Sequence, residues 1–134
     1  MTIETLKQCR KALHDVMSAE KLIAEHKATA GSISSMRYGD APHGRGEPLS
    51  PQEAHLEELE RLQEKLDKHK RTYDQLRAEI ASATADLPVL QRRLIYGYYV
   101  FGFSWEVVNK SCCINRKQSQ YQVKKAFEKI LEKT

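Results

Sequence analysis

Seven polar side chains between positions 116 and 125 have the chemistry of a nucleic-acid contact. They comprise four cations, two amides and a tyrosine: Arg116, Lys117, Gln118, Gln120, Tyr121, Lys124 and Lys125. Arg and Gln can pair through two atoms with a guanine or adenine edge, whereas Lys and Tyr suit phosphate oxygens. We therefore predict these residues as a DNA-binding surface. The alternative at this point is an ordinary solvated helix face.

The positive charge of the chain is concentrated around this segment. The 134 residues carry a net charge of +4, but residues 1–86 hold 13 Lys and Arg against 15 Asp and Glu, a net −2. Residues 87–134 hold 9 against 3, a net +6. A basic excess in this position is the electrostatic footprint expected of a DNA-binding surface, although charge alone does not exclude a solvated basic face.

No catalytic arrangement stands out, and we expect neither an enzyme nor a cofactor. Phosphate-binding glycine loops and the HExxH and GxSxG patterns are missing, and the five histidines are scattered. The adjacent Cys112 and Cys113 lack the second cysteine pair that a zinc site usually needs, so we interpret them as small turn residues and expect no metal. With Cys9 the cysteine count is odd, which argues against a disulfide framework.

The sequence is typical of a cytoplasmic protein without a membrane partner. Its most apolar run, Leu94 to Phe103, is about ten residues long and too short to cross a bilayer. The first residues lack the apolar core of a secretion signal. We expect a reduced, cytoplasmic setting.

Two C-terminal helices are predicted to position the seven polar residues. Ser104 can N-cap a short helix that directs Trp105, Val107 and Val108 toward a core. A turn follows at Ser111–Asn115, and a longer helix then reaches Leu131. Two helices joined by so short a turn cross steeply, as in the helix-turn-helix that enters a DNA major groove.

A third helix should complete the C-terminal domain, residues 86–134. Asp86 can cap this helix, with Pro88 in its first turn, and Gly102 ends it. Its broad apolar face predicts the core helix of a small three-helix domain.

Two long helices are predicted for residues 1–85. The first runs from Thr2 to about Ala28, and Gly31–Ser50 is interpreted as a flexible connector. The second begins at Pro51 and ends near Ala81. Its apolar stripe has the alternating three- and four-residue spacing of a coiled-coil seam: Leu59, Leu62, Leu66, His69, Tyr73, Leu76 and Ile80.

Two arrangements would bury this seam. The first helix can fold back against it as an antiparallel hairpin, or two chains can pair through it as a homodimer. His69 is interpreted as a polar seam position that fixes register rather than as a ligand. The predicted fold class is therefore all-α: a long N-terminal helical hairpin or coiled coil plus a C-terminal three-helix helix-turn-helix domain.

Residues 90–131 resemble region 4 of the sigma-70 family, and in particular the small phage and prophage sigma-like regulators of the RinA/ArpU type. The resemblance rests on a tyrosine at a helix end, a glycine, a Ser-Trp-Glu segment, a polar turn and an Ala-x-x-x-apolar ending. In this chain these are Tyr99, Gly102, Ser104-Trp105-Glu106-Val107-Val108, Asn115-Arg116-Lys117-Gln118 and Ala126-Phe127-x-x-Ile130.

The resemblance implies that Arg116, Lys117, Gln118, Gln120 and Tyr121 face the DNA groove. Four positions depart from the family pattern, which has alanine, glycine and two apolar residues there: Asn109, Cys113, Ser119 and Gln122.

Three functions are compatible with these features. The leading hypothesis is a phage or prophage transcription regulator that binds double-stranded DNA, with the coiled coil providing dimerisation or contact with host RNA polymerase. The second is a packaging protein similar to a terminase small subunit. The third is an adaptor that binds no DNA and acts through its coiled coil.

Overall fold

A computed structural model describes residues 1–35 and 50–132, and within these ranges every regular element is helical. The predicted all-α class is confirmed. The elements are α1 (Ile3–Ser35), α2 (Pro51–Ala83), α3 (Val89–Ile95) with a π-helical continuation (Tyr96–Val100), α4 (Trp105–Ser111) and α5 (Arg116–Glu132).

Helices α1 and α2 pack against each other in antiparallel directions. His26 near the end of α1 stacks on His55 near the start of α2, with ring centroids 3.8 Å apart. Further along, Asp15 Oδ2 lies 4.0 Å from His69 Nδ1. Between these contacts the helices share a buried cluster of Val16, Ala19, Ile23, Leu62 and Leu66. Burial of this narrow stripe stabilises both helices, since among the described residues each helix is the packing partner of the other along this stretch.

Two predicted helix boundaries were wrong. Helix α1 continues through Gly31 to Ser35, because one glycine weakens a helix by only about 1 kcal/mol and does not end it. Residues 36–49 of the predicted connector lie outside the described residues, and Ser50 is the N-cap of α2. Helix α3 begins at Val89 rather than after Asp86, with Pro88 in the N-cap position. Proline disfavours helical backbone in the residue before it, so Leu87 cannot open the helix.

The end of α3 widens into a π-helical turn, which the sequence did not predict. The Phe101 N–H donates to the Tyr96 carbonyl over 2.8 Å, five residues back. The last carbonyls of a helix lack partners within the helix. Here the long helices supply them: Arg10 Nη1 donates to the Tyr98 carbonyl over 2.7 Å, and the Tyr73 hydroxyl donates to the Val100 carbonyl over 2.6 Å.

Two glycines allow close packing around this turn. Gly102 has φ +76°, which confirms it as the residue that ends the helix, and a side chain there would lie 2.8 Å from Leu13 on α1. A Cβ on Gly97 would lie 2.8 Å from a methyl group of Val108. Helix α4 therefore approaches the backbone of the π-helical turn directly.

Val108 is buried on the inner face of α4, as predicted. The prediction that Val107 also faces the core was wrong, because its side chain is 51% exposed. Helix α4 has only two turns, and its inner face is centred on Val108, one residue further along. Val107 points about 100° away from Val108 around the helix and falls outside this inner face.

The main hydrophobic cluster joins both ends of the sequence. It contains Leu6 and Cys9 of α1, Ile80 of α2 and, from the C-terminal segment, Leu87, Ile95, Tyr99, Val100, Ala126 and Ile130. Burial raises the pKa of the Cys9 thiol to about 11 and also raises the pKa of Tyr99. The domain boundary between residues 85 and 86 stays a prediction. Residues from both sides of this boundary contribute to the buried cluster.

Candidate nucleic-acid interface

Helices α4 and α5 are separated by the four residues 112–115. The Ser104 hydroxyl accepts a hydrogen bond from the Val107 N–H and caps α4 at 3.3 Å. At the other end, the Cys113 N–H donates to the Lys110 carbonyl and the Ile114 N–H donates to the Asn109 carbonyl. These bonds satisfy the last carbonyls of α4 and reverse the chain within one turn.

Cys113 adopts the left-handed conformation that this reversal requires. Its φ is +57°, and it is the one non-glycine residue with positive φ in the described ranges. A glycine would take this conformation without the steric cost that a Cβ brings. The side chain of Cys113 is exposed, and the cost of a residue other than glycine here arises within its own backbone.

The start of α5 is fixed by a reciprocal cap. Asn115 Oδ1 accepts a hydrogen bond from the Gln118 N–H over 2.8 Å, and Gln118 Oε1 accepts one from the Asn115 N–H over 3.1 Å. This is a capping box with amide side chains in place of Ser and Glu. It confirms Asn115 as the N-cap, and the NH₂ group of Gln118 takes no part in it.

Helix α5 has one buried face and one charged face. Ser119, Ala126 and Ile130 are buried, with Val123 and Phe127 half-buried beside them. All seven predicted DNA-binding residues are exposed: Arg116, Lys117, Gln118, Gln120, Tyr121, Lys124 and Lys125. The structure therefore places the predicted set together on the outer surface of one helix.

Tyr121 and Lys125 form a pair within this surface. The Lys125 ammonium lies 5.4 Å from the centroid of the Tyr121 ring, which is itself 56% exposed. These residues are four apart and therefore neighbours on the helix. The pair presents a hydroxyl and a cation to the same region of solvent, as phosphate binding requires.

Gln122, one of the departures from the family pattern, has a partner in the fold. Its Oε1 accepts a hydrogen bond of 3.1 Å from Gln91 Nε2 on α3, so a polar pair replaces the apolar contact between these helices. Ser119 is 3% exposed and small enough to let the helices approach. Asn109 differs, because its Oδ1 is buried and accepts no hydrogen bond from any described residue.

A stack of three side chains connects α1 and the π-helical turn to α4. The Arg10 guanidinium lies 3.9 Å from the centroid of the Tyr98 ring, and Tyr98 stacks on Trp105 at 4.2 Å with nearly parallel planes. Cation–π contact and aromatic stacking each contribute about 0.5–1.5 kcal/mol. Sequence reasoning missed Arg10 and Tyr98, since nothing local connects residues 88 positions apart.

The predicted seam of α2 faces α1 within a single chain. Leu62, Leu66 and Ile80 are buried, while Leu59, Tyr73 and Leu76 are half-buried. A homodimer formed through the same face would have to displace α1. His69 lies beside Asp15 on this seam.

Within the described ranges, no group of three or more His, Cys, Asp or Glu side chains could hold a metal ion. None of the described helices combines the length and apolarity of a bilayer span. Comparison of the chain with family models, with curated proteins and with solved structures found no match.

Proposed function

We propose that the protein is a DNA-binding transcription regulator of the phage or prophage type, and that α5 is the helix that contacts duplex DNA. One observation carries the proposal: no Asp or Glu occurs between Glu106 and Glu128, and the cations of that interval lie exposed along α5 and the end of α4. Residues 116–127 of α5 carry charge of one sign only, which attracts a polyanion, and the exposed carboxylates Glu128 and Glu132 lie toward its C-terminal end.

The dimensions of α5 support this role. Its 17 residues give a helix of about 25 Å, and the preceding turn of four residues leaves its N-terminal half exposed beside α4. A recognition helix contacts base edges mainly through residues near its N-terminus. Gln118 and Gln120 lie there, whereas Lys124 and Lys125 lie further along, where phosphates of the groove walls would pass.

The contacts can be assigned by chemistry. Lys117, Lys124, Lys125 and Tyr121 contact phosphates and set affinity. Gln120 reads a base edge, and the NH₂ group of Gln118 donates to one, since its oxygen is held by the cap. Arg116 lies at the border of the surface.

Helices α1 and α2 fix the C-terminal helices through Arg10 and Tyr73. In the proposed regulator this helical pair carries the second contact, with host RNA polymerase or with another copy of the chain. The seam itself is covered, so such a contact uses the outer faces of α1 and α2.

The proposal is tested by titrating a labelled duplex with the protein at low salt and following fluorescence anisotropy. Lys117→Ala/Lys125→Ala should weaken binding about tenfold or more, because each phosphate contact contributes to a largely electrostatic affinity. Lys65→Ala/Lys68→Ala, which removes the same charge from exposed positions of α2, is the matched control.

Both variants should keep the wild-type helix content by circular dichroism, because all four lysines are exposed. If the wild-type protein bound no duplex at low salt, α5 would not be a DNA-contacting helix. The adaptor hypothesis, in which α1 and α2 form the working surface, would then take its place.

A further inference from the structure

A groove of about 780 Å³ opens between α4 and α5, beside the predicted DNA-binding surface. Four apolar side chains line it, and each is only half-buried: Trp105, Ile114, Val123 and Phe127. Pockets for small ligands have volumes of roughly 300–1,000 Å³ and are lined mainly by apolar and aromatic groups. The groove therefore has the size and lining of a site for one small molecule.

The charges around the groove favour an anion. Lys110, Arg116 and Lys124 border it, against one carboxylate, Glu106. Among the described residues, none of these three cations makes an ion pair. A ligand with a negative group at one end would offset part of this excess while its apolar body covers the aromatic rings.

We propose that this groove binds a small amphipathic carboxylate, whose aliphatic or aromatic body lies against Trp105 and Phe127 and whose carboxylate pairs with Lys110 and Lys124. The site is defined without reference to DNA. Three residues belong both to the groove and to the predicted DNA-binding surface: Arg116, Gln120 and Lys124. A ligand bound in the groove would therefore also withdraw these side chains from DNA. This consequence alone rests on the proposed function.

Trp105 makes the binding directly measurable. It is the single tryptophan of the chain and lines the groove, so its fluorescence reports an occupant without any label. Octanoate is the probe, and octan-1-ol, which has the same chain without the charge, is its matched control. Octanoate should shift the Trp105 emission saturably with a Kd of about 0.1–1 mM, as expected for a ligand of roughly ten heavy atoms.

Variants separate the groove from non-specific binding. Lys110→Ala/Lys124→Ala should weaken octanoate about tenfold and leave octan-1-ol unchanged, while Lys129→Ala, an exposed position of α5 outside the groove, should bind octanoate as the wild type does. Val123→Phe should narrow the groove and weaken the octanoate response. The exposed lysine variants keep the test valid even if Val123→Phe fails to fold.

The proposal is overturned if octanoate gives no saturable response up to about ten times the expected Kd, or if the charge variants bind it as tightly as the wild type. A response of Trp105 to an acidic helical peptide but not to octanoate would also overturn it and indicate a protein partner. No DNA is present in these titrations, so failure of DNA binding and failure of this proposal are distinguishable.

Discussion

The polar pair between α3 and α5 allows a sharp prediction about stability. Gln91 is 5% exposed, and its Nε2 donates to Gln122 Oε1, while its own Oε1 has no partner among the described residues. Gln122→Leu removes the acceptor and leaves the whole buried amide of Gln91 unsatisfied. We expect the free energy of unfolding to fall by about 1–3 kcal/mol, the cost of desolvating a polar group without a partner.

The second substitution should reverse this loss. In Gln91→Leu/Gln122→Leu neither amide remains buried between the helices, and two leucines fill a similar volume. Replacing both partners of a buried hydrogen bond with apolar groups of similar shape can be neutral or stabilising. We therefore expect the double variant to equal or exceed the wild type in stability, so that the two substitutions couple by at least about 1 kcal/mol.

Urea unfolding followed by circular dichroism measures this cycle. With an m-value of about 2 kcal/mol/M, a loss of 2 kcal/mol lowers the midpoint by about 1 M. Gln75→Leu, at an exposed position of α2, should change the stability by less than about 0.5 kcal/mol. The reasoning is refuted if Gln122→Leu is as stable as the wild type, or if the losses of the two single variants simply add in the double variant.

Two further predictions concern packing and pH. Gly97→Ala should lower the free energy of unfolding by about 1–2 kcal/mol, because the clash with Val108 exceeds the gain in helix propensity. In a Val108→Ala background the same change should become neutral or stabilising. Equal shifts of the urea midpoint in both backgrounds would contradict the contact between Gly97 and Val108. The buried Cys9 has a pKa of about 11, above its ordinary value of 9.0, so its contribution to stability is complete below pH 9 and is lost as the pH rises toward 11. Urea midpoints should therefore fall less steeply between pH 9 and 11 for Cys9→Ala than for the wild type. Cys112→Ala is the thiol control. Equal slopes for Cys9→Ala and the wild type would argue against a buried thiol.

The helices themselves could be predicted because their signals are local. Ser104 and Asn115 are side-chain caps, and Gly102 supplies a left-handed residue, so three boundaries followed from residue type alone. The regular spacing of the α2 stripe likewise predicted which of its residues face inward. Such signals act within one or two helical turns and are visible in the sequence.

Other features depend on contacts that sequence patterns do not encode. The π-helical turn after Ile95 is held by Arg10 and Tyr73, which are distant in sequence. The length of α1 past Gly31 depends on the balance between a weak residue and its neighbours, which composition cannot decide. Tertiary packing made the difference in the first case.

The sequence predicted which side chains form the candidate site but not the hydrogen bonds that these side chains and their neighbours make. The exposed positions of the seven polar residues followed from the helical period. The pairing of Gln118 with Asn115 and of Gln122 with Gln91 did not, because amide side chains have many potential partners. The groove beside Trp105 also depends on how far α4 and α5 stand apart, which no residue pattern specifies.

The salt dependence of duplex binding tests the central claim most directly. The logarithm of the binding constant should fall linearly with the logarithm of the salt concentration, with a slope that reflects the phosphates contacted, about −0.9 for each. Lys117→Ala/Lys125→Ala should reduce the steepness of this slope by about 2 relative to the wild type, and Lys65→Ala/Lys68→Ala should leave it unchanged. A wild-type protein that binds no duplex at any salt concentration, or a slope that is the same for the α5 and α2 variants, would contradict the assignment of α5 as the DNA-contacting helix.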